Sequence, residues 1–287
     1  ILKQQILLDI RVPRVLFAFV AGAGLSLCGM VFQAMFHNPL ATPFTLGVAS
    51  GASFGAACTV FLGINVSLFG FDIITIGAFI GALVAITFVF FISQLQRGFS
   101  SETLLLTGVA TSFFFSSLIL FIQYLSDMTD SFMIMRWLMG GLTSASYHSL
   151  LQLIPIVTIS TAIILWLSRE LNLLMAGDDI ALSRGVSVRQ VRYLLFFSTS
   201  LCVGGIVALS GPIGFIGMMV PHICRLIIGT DHRWLTPATI MFGGGFLILC
   251  DGIARLLIAP AEIPVGIITT LLGGPFFLWL LIKRRQG

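Results

Sequence analysis

Charged residues are scarce in this chain. Only 9% of its 287 residues are Asp, Glu, Lys or Arg, whereas about a quarter of a typical soluble domain is charged. Hydrophobic residues make up 57% of the sequence, so a lipid bilayer rather than water must surround most of it. The 15 basic residues are spread over loops and termini, a distribution typical of membrane proteins and not of nucleic-acid-binding domains.

Motifs for binding metals and nucleotides are missing as well. The four histidines, His37, His148, His222 and His232, lie on separate segments without an i,i+4 pair, which argues against a metal site. The five cysteines contain no C-x-x-C pair and fall in or beside apolar segments, which predicts packed thiols. No G-x-x-x-x-G-K-[ST] occurs, so we expect no cofactor in this chain, and any ATP and Mg²⁺ must be held by a partner.

What the chain does have is a series of long apolar segments. A helix that spans a bilayer needs about 20 mostly apolar residues, and the runs here are continuous rather than alternating, which favours helices over a barrel. Residues 1–287 are therefore predicted to form a single all-α, polytopic membrane domain of about nine transmembrane helices. The predicted segments are 15–35, 47–63, 68–93, 104–126, 149–168, 192–210, 214–229, 236–259 and 265–282. Two of them, 47–63 and 214–229, are short and contain Gly or Pro, as buried or tilted helices do.

The distribution of positive charge predicts the orientation. If the C-terminal Lys283, Arg284 and Arg285 are cytoplasmic, most of the other basic residues also fall inside, as the positive-inside rule requires. Nine spans then place Ile1 outside. This suggests a ten-helix parent fold whose first helix is absent from the sequence.

Several sequence blocks follow one another in a specific order and spacing. They are Arg11–Arg14 (R-V-P-R), His37–Ala41 (H-N-P-L-A), Leu46–Ala52, Leu104–Ala110, Arg136–Gly141, Gly211–Gly217, Val220–Arg225, Asp231–Arg233 and Pro260–Gly266. In this order they resemble the FecCD-type permeases of importers for iron-siderophores, haem and vitamin B12. The resemblance covers nearly the whole chain.

The resemblance implies a function and a set of partners. It implies the permease subunit of a binding-protein-dependent ABC importer in the inner or plasma membrane of a bacterium or archaeon. The cargo would be a metal chelate, with an iron-siderophore first and haem, cobalamin or an oxyanion as alternatives. The working unit would be a homodimer with two ATP-binding subunits and a periplasmic or extracellular substrate-binding protein. It would work by alternating access driven by the separate ATPase.

The longest polar stretch, residues 169–192, is predicted to be a cytoplasmic coupling loop. Asp178 and Asp179 favour a helix N-terminus, Gly185 suits a left-handed helix end and Ser187 could cap the next helix. The spacing resembles the E-A-A-x-x-x-G element with which ABC importer permeases contact their ATPases, although Asp replaces Glu. The residues expected to contact the ATPase or to shape the loop are Leu174, Asp178, Asp179, Ala181, Arg184, Gly185 and Val186. A solvated loop that only connects two spans is the alternative.

Two further sites follow from the resemblance. Arg11, Arg14 and Arg255 match arginines that meet acidic side chains of the binding protein in the vitamin B12 importer family. Arg11 and Arg14 could instead be membrane anchors, and Arg255 could pair with Asp251 four residues earlier. A cytoplasmic gate near the dimer axis is expected at positions where that family's permease narrows. Its candidate residues are Asn38, Leu40, Ser100 and Ser101.

Two other classes of protein compete with this interpretation. An ion-coupled secondary transporter would carry intramembrane carboxylates or histidines, and only Asp251 lies well inside an apolar segment. An intramembrane enzyme would need a nucleophile with a base, or a metal motif such as H-E-x-x-H. Neither pattern occurs, so an ABC importer permease is the leading prediction and an ion-coupled transporter the alternative.

Overall fold

The computed structural model describes residues 2–39, 41–64, 66–68, 70–95 and 101–284, which fold into a bundle of helices and one short hairpin. Helices suit continuous apolar sequence because each backbone group finds its hydrogen-bond partner within the same segment. In chain order the elements are α1 (Leu2–Gln5), a π-helical turn (Ile6–Arg11), α2 (Val12–Met35), a 3₁₀ turn (Pro43–Leu46), α3 (Val48–Phe61), β1 (Ser67–Leu68), β2 (Phe71–Asp72), α4 (Ile73–Leu95), α5 (Ser101–Leu125), α6 (Met128–Leu138), α7 (Tyr147–Trp166), α8 (Ser168–Ala176), α9 (Asp178–Ser183), α10 (Val188–Ser210), α11 (Ile216–Ile228), α12 (His232–Leu256) and α13 (Val265–Arg284).

Six helical stretches among these described residues are long and apolar enough to cross a membrane, and three apolar stretches are shorter. The six are Ile6–Met35, Ile73–Leu95, Thr103–Leu125, Tyr147–Trp166, Val188–Ser210 and His232–Leu256. The shorter ones are Val48–Phe61, Ile216–Ile228 and Val265–Trp279. Each coincides with a predicted apolar segment, so the all-α polytopic fold is confirmed.

The structure differs from the prediction on either side of α5. The segment predicted to start at residue 68 becomes helical only at Ile73, because β1 and β2 first pair antiparallel as a two-residue hairpin. Helix α6 was not predicted. It has only 11 residues and contains two charged side chains, Asp130 and Arg136, so no long apolar run marks it. Its N-terminus is capped by Asp127, whose side chain accepts a hydrogen bond from the backbone N–H of Asp130.

Helix α2 lies at the centre of the bundle and packs against α11 and α12 at glycines. A Cβ atom added to Gly29 would overlap the carbonyl oxygen of Gly217 in α11, and one added to Gly22 would overlap that of Gly243 in α12. Such close backbone approach is how helices associate in lipid, where apolar surface alone gives little preference for a protein neighbour. Small residues on this helix therefore set the spacing of the core.

The helices bring two groups of loops to opposite ends of the bundle. The start of α2 meets the end of α12, where Arg14 contacts Asp251. The end of α2 meets α8, where His37 contacts Leu174. We refer to these as the Arg14 end and the 169–192 end.

Candidate functional sites at the two ends of the bundle

Residues 169–192 form a structured knob. Helix α8 ends at Gly177, α9 follows at once, and Gly185 then has a left-handed backbone with φ of +81°. The first turn of α9 contains Asp178 and Asp179, as predicted. Ser187 occupies the N-cap position of α10, but its side chain makes no capping hydrogen bond. The sequence predicted the helix start at Asp178 and the break near Gly185, but it gave no indication of the positive φ of +124° at Gly177.

The residues expected to contact an ATPase divide into two groups. Leu174 and Ala181 are fully buried in the hydrophobic core of this chain, so they hold the knob in place rather than offering a contact surface. The apolar side chains on either side of Ala181, those of Ile180 and Leu182, do not belong to this set and are 47% and 58% exposed. Asp179, Arg184 and Gly185 are also exposed, whereas Asp178 and Val186 are half-buried. Any contact of Leu174 with a separate subunit would require the knob to unpack.

Two polar contacts attach the knob to the ends of α2 and α12, and a third joins its two halves. The ring nitrogen Nε2 of His37, just beyond α2, donates to the carbonyl oxygen of Leu174 at 2.8 Å. Arg192 in α10 forms an ion pair with Asp178 at 2.8 Å. Asn172 contacts Asp231 and His232 at the start of α12.

The carboxylate of Asp231 is the polar centre of the contact with α12. It accepts hydrogen bonds from the backbone N–H of Arg233 and from the side-chain amide of Asn172, in that order of effect, and these lower the pKa of Asp231. Asp231 therefore stays ionised near neutral pH and caps α12 as an anion.

At the Arg14 end, charged side chains from three segments form a cluster. The guanidinium of Arg14 donates to Asp251 through Nη2 at 2.8 Å and Nε at 3.1 Å, and through Nη1 to Glu262 at 2.8 Å. Arg255 contributes a fourth side chain, with Nε 3.3 Å from Asp251. The cluster joins α2, α12 and the loop before α13.

The three predicted docking arginines lie at this end but in different settings. Arg14 is only 8% exposed, because its guanidinium is turned toward Asp251 and Glu262. Arg255 is half-buried, and its predicted pairing with Asp251 is confirmed. Arg11 is exposed one turn before Arg14. The docking role remains a prediction, for which Arg11 and Arg255 are the accessible candidates.

Sequence reasoning missed two polar residues with central positions, Glu262 and Asn172. In the sequence, Glu262 was noted only as part of the block Pro260–Gly266. A carboxylate in a loop that lies on the same face as several arginines is nevertheless a signal for an ion pair. Asn172 gave no local signal at all, because its partners lie 59 and 60 residues away in the sequence.

The structure describes only some of the predicted gate residues. Leu40 and Ser100 lie outside the described residues, and for Ser101 only the backbone at the start of α5 is described. The loop around Asn38 is irregular: Asn38 N–H donates to the carbonyl of Gln33 at 3.3 Å, and the Asn38 carbonyl accepts from Ala41 at 3.1 Å. It lies at the 169–192 end, and a gate there remains a prediction.

A cavity of about 430 Å³, lined by both polar and apolar side chains, opens at the Arg14 end. Its wall combines the start of α4, α6, the loops around residues 141–149 and 262–265, and the end of α10. Its polar lining residues include Arg14, Arg136, His148, Gln152 and Glu262. Its volume is in the range of small-molecule pockets, and it lies beside the predicted docking residues.

No metal centre is formed by the part of the chain that the structure describes. Within those residues no group of three or more His, Cys, Asp or Glu side chains is close enough to hold an ion. The five cysteines are free thiols; Cys58 is half-buried, and the other four are buried.

Comparison with known proteins extends these observations. The profile described as the FecCD transport family matches residues 2–283. The hemin transport system permease protein HmuU of Yersinia pestis is 40% identical over 98% of this chain and 84% of its own length. The molybdate import system permease protein MolB of Haemophilus influenzae is 38% identical over 99% of this chain and 83% of its own. A solved structure described as an inward-facing metal-chelate type ABC transporter superposes with a TM-score of 0.90 at 35% identity, covering 98% of this chain and 89% of that one.

Proposed function

Because the chain belongs to the FecCD transport family, we propose that it forms half of a passage through which a metal chelate is imported at the expense of ATP. As a member of the family it is the permease subunit of an ABC importer, a multi-pass inner-membrane protein and a transport component rather than an enzyme. The match of the family profile to residues 2–283 carries this conclusion. Supporting it, the backbone superposes over 98% of its length on a metal-chelate type transporter.

For the cargo, we propose an iron-siderophore complex first, with haem, cobalamin and molybdate as the other candidates. The named relatives move hemin and molybdate, so similarity alone favours a class and not one compound. The substrate-binding protein that works with this permease offers the direct test. Its melting temperature should rise with one member of a panel of ferric siderophore, haemin, cobalamin and molybdate. A rise with none of them would contradict the proposed cargo class.

For energy coupling, we propose that the exposed part of the knob contacts a separate ATPase that holds ATP and Mg²⁺. Ile180 and Leu182 offer apolar contact area beside the charges of Asp179 and Arg184. A small apolar patch with charges at its rim is the pattern of a specific protein interface. Two copies of the chain would each present one knob to one of two ATPase subunits.

Gly185→Val tests this coupling role. The substitution forces a β-branched residue into a left-handed backbone at about 1–2 kcal/mol, and no atom lies within 4 Å of the added Cβ. We expect normal membrane insertion but roughly fivefold to thirtyfold less ATPase recovered on co-purification. Gly63→Val is the matched control, since Gly63 also has a positive φ and open space but lies outside the knob. Equal recovery of the ATPase by the two variants would overturn the coupling role.

For docking, we propose that Arg11 and Arg255 contact the binding protein. For gating, we propose that the passage is narrowed at the opposite end by Asn38, Leu40, Ser100 and Ser101. The exposure of Arg11 and the place of Arg255 in the cluster of Arg14, which lines the cavity at this end, support the first assignment. The irregular backbone around Asn38 supports the second. Cysteines at position 38 should cross-link between the two copies of the proposed homodimer, and absence of the cross-link in every nucleotide state would contradict the gate.

An ion-coupled secondary transporter is the alternative mechanism. It would need an intramembrane carboxylate that binds and releases a proton or Na⁺. Asp251 was the candidate in the sequence, yet its two oxygens are engaged by Arg14 and Arg255. Reconstituted transport that requires ATP and survives collapse of ion gradients would support the ABC mechanism, whereas the reverse result would support this alternative.

A further inference from the structure

Helices α2 and α12 are held together from one end of the bundle to the other. Arg14 binds Asp251 at one end, and the hydroxyl of Ser26 donates to the carbonyl of Thr239 at 3.0 Å further along. Between these contacts, Gly22 and Gly243 bring the two backbones so close that neither position has room for a Cβ atom. Two helices linked by backbone contact and by polar bonds along their length should move as one body. We call them the α2–α12 pair.

Helix α8 holds this pair at the 169–192 end through both members. His37, which follows α2, donates to the backbone of Leu174. Asn172 binds the start of α12 with three hydrogen bonds: Nδ2 donates to Asp231 at 2.7 Å, and Oδ1 accepts from the backbone N–H of His232 at 2.9 Å and from its ring Nδ1 at 2.7 Å.

The chemistry of this contact requires an amide. Asp231 is an acceptor and needs the Nδ2 donor, whereas the backbone N–H of His232 needs the Oδ1 acceptor, so the orientation of the Asn172 amide is fixed. The His232 ring must carry its proton on Nδ1 to donate to the same oxygen. An Asp at position 172 would place two carboxylates against each other, and an Ala would make none of the three bonds. Asp231 is also the N-cap of α12, so a displacement of Asn172 acts directly on the first turn of that helix.

We propose that Asn172 is the positioning residue that makes α8 and the α2–α12 pair move together, so that displacement of the knob by a partner ATPase reaches the Arg14 end. The inference rests on the proposed function for its source of motion. The contact itself is a property of the single chain. At about 1.5 Å per residue, the 25 residues of α12 carry that displacement roughly 37 Å.

Hydrogen exchange of backbone amides tests both the contact of Asn172 within the chain and its role in transmitting the displacement. In the permease without its ATPase, Asn172→Ala should speed exchange about tenfold at the amides of 231–235, the change expected when a charge-assisted hydrogen bond is lost. In the complete transporter, ATP should change exchange in the loop 257–264 of the wild type. Asn172→Ala should reduce that ATP-dependent change about tenfold while ATPase recovery and ATP hydrolysis continue.

A pair of reciprocal substitutions separates this role from general damage. Asn172→Asp alone should behave like Asn172→Ala, whereas Asn172→Asp combined with Asp231→Asn recreates an amide–carboxylate pair and should restore most of the ATP-dependent change. Ser168→Ala is the matched control, because Ser168 lies on α8 one turn earlier, is half-buried and precedes the 169–192 knob. It should match the wild type.

The outcomes are distinct. Unchanged exchange at 231–235 in Asn172→Ala would overturn the proposal for the chain alone. A wild-type response to ATP that persists in Asn172→Ala would overturn the transmission role while leaving the proposed function intact. A wild-type transporter that neither recovers an ATPase nor responds to ATP would overturn the proposed function and, with it, this inference.

Discussion

The two ends of the bundle are closed by different chemistry. At the Arg14 end, a buried arginine and a buried aspartate face each other, with Glu262 and Arg255 beside them. At the 169–192 end, the connections to α2 and α12 use a histidine, an amide, a backbone carbonyl and the carboxylate of Asp231, which has no cationic partner among the described residues of the contact, while Arg184 and Asp179 are exposed. The four-residue cluster at the first end is therefore internally neutralised, and the exposed charge of Arg11 lies beside it. The second has charges that remain available to a partner.

The largest expected effect is at the buried pair. Asp251→Ala leaves Arg14 buried without its main counter-ion, which should cost about 3–5 kcal/mol of stability. Thermal unfolding in detergent measures this loss. Asp9→Ala is the control, because Asp9 is an exposed carboxylate on the same segment as Arg11, and should change little. Equal melting temperatures for the two variants would show that the buried pair stabilises the Arg14 end no more than an exposed carboxylate does.

An intermediate effect is expected for capture of the binding protein. Arg11→Glu reverses an exposed charge at the Arg14 end and should slow association of the loaded binding protein about tenfold in low salt, with less effect in high salt. Arg184→Glu makes the same change of charge at the other end and should leave the association rate unaltered. Stopped-flow mixing with the permease in nanodiscs gives both rates. If both variants slow capture equally, net charge and not a docking site is responsible.

The smallest effect is expected for the ion pair within the knob. Arg192→Ala removes the contact with Asp178, a carboxylate that is 42% exposed, and solvent-screened pairs of this kind contribute about 0.2–1 kcal/mol. The melting temperature should fall only slightly, as it should for Arg189→Ala in the same helix. A loss as large as that of Asp251→Ala would show that the 169–192 end also depends on ionic contacts.

Most of the fold could be predicted from the sequence because apolar length is a local property. Each predicted segment coincides with an apolar helix, including the short ones at Val48–Phe61 and Ile216–Ile228. The positive φ at Gly185 was also predictable, since glycine after a short helix favours that conformation. Helix α6 was not, because its 11 residues are amphipathic and leave no continuous apolar run.

The polar contacts that join the helices could not be predicted in the same way. Arg14 and Asp251 are separated by 237 residues, and nothing in either neighbourhood identifies the other. The sequence did suggest Asp251 with Arg255, four residues apart, because helical spacing makes that pair local. Leu174 is a second example of a contact that the sequence alone does not reveal. Its apolar character indicated burial, but only the structure shows that Leu174 is buried by its own chain.

The contact between Gly29 and Gly217 limits how this permease can be altered. Any larger side chain at either position forces two backbones apart, so the face of α2 that packs on α11 offers no freedom to reshape a passage. Sequence libraries intended to change the cargo should therefore keep Gly22, Gly29 and Gly217 unchanged. They should vary the exposed side chains of α5 and α6, where a change of size displaces only solvent, lipid or a neighbouring subunit.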